Sequence, residues 1–107
     1  MSTATSGRAR EHRVRDHMTD RGWFWIMRAA ASKGPADLLM AHETHGAALV
    51  QVGTGNKRLG PADRDRFVTA AELCGALPLL ATCGRGTPTR FWTVTRDLPS
   101  TWQEWKP

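Results

Sequence analysis

The segment from Asp37 to Val52 limits the possible folds of this chain more than any other. Two apolar runs, Leu38-Leu39-Met40 after Asp37 and Ala47-Ala48-Leu49-Val50-Gln51-Val52, flank the polar stretch His42-Glu43-Thr44-His45-Gly46. This pattern predicts a β-hairpin with its turn centred on Thr44. Residues equidistant from such a turn lie opposite one another, so Asp37 and Gln51 become cross-strand neighbours with Cβ atoms about 5 Å apart. A carboxylate and an amide oxygen held that way suit one hard divalent cation such as Mg²⁺, which takes oxygen ligands at about 2.1 Å and keeps several waters. Side chains alternate along a strand, so position 53 faces the same way as position 51, and it is glycine.

The remaining elements follow from periodicity and punctuation. Residues 1–7 are small and polar and read as a flexible arm, leaving residues 8–107 as a single domain. From Arg8 to Arg21 the chain is helix-permissive and stops at Gly22, with Val14 and Met18 marking the buried stripe and Glu11 on the same face. By spacing alone, Glu11 also suits a solvated position near a helix start. Trp23 to Met27 is a continuous apolar run, expected as a central strand buried on both faces, with Trp23 and Trp25 in the core. Pro61 opens a second helix that stops at Gly75, with Phe67, Ala71 and Cys74 packed on the sheet. Two further strands, 77–82 and 90–95, complete an α-β-β-β-α-β-β order, and the crossover helix predicts a parallel pair within a mixed sheet. Trp102 and Trp105 are expected to pack rather than to stack on bases.

Charge narrows the choice of partners. Fifteen basic against ten acidic residues leave a net +5, and only Lys33, Lys57 and Lys106 of the fifteen are lysines. An arginine-rich excess favours polyanions, because the guanidinium fork binds phosphate oxygens in pairs. Solubility alone is the competing explanation. Gly53-Thr54-Gly55-Asn56-Lys57-Arg58 is glycine-rich and basic, suited to backbone contacts, and lacks the Gly-Lys-Ser/Thr ending of a phosphate loop. Cys74 and Cys83 have no zinc-type spacing, and His42 with His45 lack a third ligand. Without a membrane-length apolar run or a signal core, the expected location is the cytoplasm.

The run Gly22-Trp23, the run Arg28-Ala29-Ala30-Ala31-Ser32-Lys33-Gly34-Pro35-Ala36-Asp37 and the run Leu49-Val50-Gln51-Val52-Gly53-Thr54-Gly55 together resemble the small Holliday junction resolvases of archaea and their bacterial and phage relatives, members of the PD-(D/E)XK nuclease superfamily. The resemblance spans about Arg8 to Arg96. It implies a restriction-endonuclease-like α/β fold, a central mixed sheet flanked by helices. It also implies a homodimer that cuts four-way DNA junctions with Mg²⁺, or Mn²⁺ in its place, and no membrane partner. The implied ligands are Glu11, Asp37, the Gln51 amide oxygen and the Val52 carbonyl, with Ser32 beside the scissile phosphate. Arg8, Arg10, Arg28, Lys33, Lys57 and Arg58 are candidate DNA contacts.

Gly53 departs from the pattern, since the family has a lysine there to orient the attacking water. Three explanations stand: Lys57 or Lys33 reaches in, the protein binds junctions without cutting, or the glycine is a deliberate inactivating change. A nuclease for linear or modified duplex and a small basic protein that contacts RNA or another protein are the alternative functions.

Overall fold

The computed structural model describes residues 3–28, 36–53, 59–84 and 86–107, with side chains from residue 8 onward. Ser32, Lys33, Lys57 and Arg58 lie outside the described residues.

The hairpin forms as its sequence pattern requires. Strands β2 (Leu38–His42) and β3 (Gly46–Gly53) pair antiparallel from Leu38↔Val50 to His42↔Gly46, a register centred on Thr44. Gly46, at φ 76°, takes the left-handed conformation that closes the turn, where a side chain would be strained. His42 Nδ1 accepts the backbone N–H of Thr44 at 3.0 Å, fixing the turn from within. Helix α2 (Pro61–Cys74) then carries the chain across the sheet, and β4 (Ala76–Thr82) lies parallel to β3 from Ala47↔Ala76 to Gly53↔Thr82. β5 (Arg90–Thr93) returns antiparallel to β4, and a two-residue β6 (Glu104–Trp105) closes the far edge. With β1 (Phe24–Arg28), the sheet runs in sequence order from β1 to β6.

Alternation along β3 separates two cores. Ala48 and Val50 pack under α1 (Thr3–Thr19) with Val14, Met18, Trp23, Leu38, Met40, Leu79 and Phe91. Leu49 joins Phe67 and Val68 of α2 with Leu80, Val94 and Trp102 on the other face. Trp102 is buried, and its Nε1–H donates to the Asp97 carbonyl at 3.2 Å. Trp105 packs edge-on against Trp23 and Phe91. Both C-terminal tryptophans therefore close the fold, as expected.

Three expectations are corrected. The helix begins at Thr3, so the backbone assigned to an arm is helical from there on. β1 is an edge strand, not a central one, and only Trp23, which precedes it, is buried. Phe24, Trp25, Ile26 and Met27 stand 45–57% exposed, because among the described residues β1 has a neighbour on one side only and its register with β2 shifts between Trp25 and Met27. On α2 the buried stripe is Arg64, Phe67, Val68 and Ala71, whereas Cys74 is exposed. The next position in phase is Gly75, the left-handed cap that ends the helix, so the stripe stops at Ala71. Arg64 is tolerated inside because its Nη1 donates to the Leu59 carbonyl at 2.7 Å.

Candidate metal and nucleic-acid site

Three elements converge where β2 begins and β3 ends. The Asp37 N–H donates to the Val50 carbonyl at 2.9 Å, anchoring the residue one step beyond the last ladder pair, Leu38↔Val50. Its Oδ2 accepts the Val52 N–H at 2.8 Å, so the carboxylate takes over a backbone acceptor's role at the strand end. The ladder ends at Leu38↔Val50, so Gln51 lies one residue past it on β3, in line with Leu80 of β4 and in phase with Leu49 on the α2 face, whereas Glu11 comes from the α1 face. Asp37, Gln51 and Val52 are all partly buried.

Glu11 enters from α1. Its position on the Val14–Met18 stripe turns it inward, to 9% exposure, and the Arg28 Nε donates to its Oε1 at 2.6 Å. Glu11, Arg28 and Leu38 line a cavity of ≈ 650 Å³ whose α1 side carries Arg8, His12 and Arg15. Burial pushes the Asp37 pKa upward and the neighbouring Glu11 charge adds to the rise, while the Val52 N–H and Arg28 pull the other way. Two carboxylates therefore repel one another in a partly desolvated place, with one arginine as counter-charge.

This donor set fits a hard cation. Carboxylate and amide oxygens are the ligands Mg²⁺ prefers, and a divalent ion offsets the repulsion that now raises the Asp37 pKa. Among the described residues no group of three His, Cys, Asp or Glu converges.

Gly53 ends β3 opposite Thr82. Lys106, the one lysine among the described residues, is held by Glu104 on β6, three strands away.

The basic candidates divide. Arg8 and Arg28 face the cavity. Arg10 is half-buried, with its carbonyl 3.8 Å from the Cys83 Sγ, nearer the β4 end. Arg13 donates to the Gly84 and Thr87 carbonyls at 3.1 and 3.0 Å, tying α1 to the β4–β5 loop. His12 had no assigned role, Arg15 was expected on the outer face of the helix, toward DNA or water, and Trp25 was expected in the core, with base stacking as the alternative. Their signal was the spacing of Arg8, His12 and Arg15 at i, i+4 and i+7, one stripe of a helix.

A mixed sheet with a helix on each face, Asp37 at the start of β2 and Glu11 on the helix above it, has the restriction-endonuclease-like α/β architecture. Among solved structures the chain is similar to Hjc of Archaeoglobus fulgidus, a Holliday junction resolvase from an archaeal hyperthermophile. The two share a fold at a TM-score of 0.65 and 18% identity, covering 81% of this chain and 76% of that one. No protein-family profile matches the sequence. No curated protein sequence matches it either. Among the described residues no helix is long and apolar enough to cross a membrane.

Proposed function

We propose that the protein is a metal-dependent, structure-selective DNA endonuclease of the junction-resolving kind, working as a homodimer. The observation that carries this reading is the approach of Glu11 and Asp37, from a helix and a strand end, close enough for one charge to raise the pKa of the other. The likeness to a Holliday junction resolvase supports the substrate class.

Asp37 would be the principal ligand and Glu11 the second, and the Gln51 amide with the Val52 carbonyl would supply neutral oxygens. The bound cation would neutralise charge on a phosphate and lower the pKa of a water. The chain's own residues do the rest. The Val52 N–H fixes the Asp37 carboxylate, Arg28 holds Glu11 in its rotamer, and Arg8 meets the phosphate backbone. Ser32, which lies outside the described residues, is assigned to the scissile phosphate by the resemblance alone. Two symmetrical cuts in a four-way junction need two such sites, hence the two-fold dimer.

Gly53 favours a second reading, in which the chain binds branched DNA without cutting it. Cleavage and binding of a four-way junction, measured with Mg²⁺ or Mn²⁺ for the parent and Asp37→Ala, separate the possibilities. Loss of cleavage with binding retained supports the endonuclease. Binding that never leads to product supports the inert binder. A chain with no affinity for junctions refutes both.

A further inference from the structure

The cavity beside Glu11 is not lined by charge alone. Trp25, Ile26 and Met27 of β1 form one wall, 45%, 54% and 56% exposed, and α1 sets Arg8, His12 and Arg15 along another. The Arg15 guanidinium carbon lies 5.4 Å from the centre of the Trp25 ring, and Asp16 holds that guanidinium at 3.0 Å. The indole is thus oriented by a cation while much of its surface remains open to solvent. An open aromatic plane among phosphate-binding cations is the arrangement by which proteins hold unstacked bases. A paired base within a duplex has both faces covered and gains nothing from it.

We propose that this cavity receives an unpaired nucleobase of DNA, stacked on Trp25, with the adjoining phosphates on Arg8 and Arg15. The proposal rests on the endonuclease reading and specifies its substrate: the strand that approaches Glu11 and Asp37 presents an unstacked base at the branch point. The volume of ≈ 650 Å³ falls within the range of roughly 300–1,000 Å³ in which small-molecule pockets lie. A second copy of the chain fits this surface less well. Pairing across a two-fold axis at β1 would gather two sets of Arg8, Arg15 and Arg28 at one interface. The register shift between Trp25 and Met27 also interrupts the edge that an added strand needs.

The test uses full-length parent, Trp25→Ala and Trp25→Phe, with EDTA present so that nothing is cut. One probe is an immobile four-way junction with 2-aminopurine at the branch point, and the other a linear duplex with 2-aminopurine at an internal paired position. Trp25→Ala is expected to weaken junction binding about tenfold and to abolish the fluorescence change, with Trp25→Phe retaining most of both. Duplex affinity and its salt dependence should stay unchanged, because the phosphate contacts remain. A Trp25→Ala protein that binds the junction like the parent, or that loses junction and duplex affinity equally, overturns the proposal. So does conversion of a dimer to a monomer by Trp25→Ala in sedimentation velocity, which would make β1 a protein interface. A parent that binds junctions indifferently to Trp25 removes only the stacking site, whereas a parent that binds no junction removes the endonuclease reading as well.

Discussion

At Asp37 one backbone N–H, from Val52, fixes a carboxylate whose charged form burial and Glu11 both disfavour. Asp37→Asn keeps a hydrogen-bond acceptor for Val52 and removes the repulsion. It is therefore expected to raise the melting temperature at neutral pH by a few degrees while abolishing any stabilisation by Mg²⁺. Thermal melts with and without the ion check both effects, and an unchanged response to Mg²⁺ would contradict the assigned ligand. Arg28→Ala acts oppositely, leaving Glu11 buried without its partner. The expected loss is about 1–3 kcal/mol, read from urea unfolding. The sequence carried part of this arrangement. The hairpin centred on Thr44 that leads back to Asp37 follows from the turn pattern, and the inward turn of Glu11 from Val14 and Met18. The Arg28–Glu11 pair was not legible, because it depends on how a helix lies across a strand, which no local spacing encodes.

Among the elements, the hairpin and the β3–α2–β4 crossover were legible because turn chemistry and connection length leave few alternatives. β1 was misread for an equally physical reason. A continuous apolar run marks a strand that something covers on both faces, but does not say whether that cover comes from the chain itself. β6 is two residues long and has no periodicity to read. Its tie to β5 makes a pH prediction. The Arg90 hydrogen bonds, at 3.0 and 3.1 Å, hold the Glu104 pKa down, from 4.5 to about 2. A depressed carboxylate pKa contributes stability above the unfolded value, and that contribution is lost as pH falls through the folded one. Loss of β6 docking is thus expected as pH drops from 4.5 toward about 2, seen as a change in tryptophan fluorescence near Trp92 and Trp105. Glu104→Gln should flatten that transition, and an unaltered titration in the variant would contradict the assignment.

For the whole molecule, recognition of branched shape through phosphates predicts that junction affinity falls steeply with salt, by a slope of roughly 0.9 per phosphate contacted. Arg8→Ala should reduce that slope by about one and leave sequence preference unchanged. Two-site cutting further predicts two copies of the chain on each junction, as native mass spectrometry or sedimentation would show. A single copy on a bound junction would contradict the dimer. The most direct measurement is cleavage of a four-way junction, with Mg²⁺ or Mn²⁺, by Gly53→Lys with and without Asp37→Asn. Restoring the amine at the end of β3 is expected to give paired, symmetrical cuts that vanish when Asp37 is also replaced. Junction binding with no product from Gly53→Lys, or product that persists without the Asp37 carboxylate, would contradict the assignment of Glu11, Asp37 and Gln51 as a nuclease metal site.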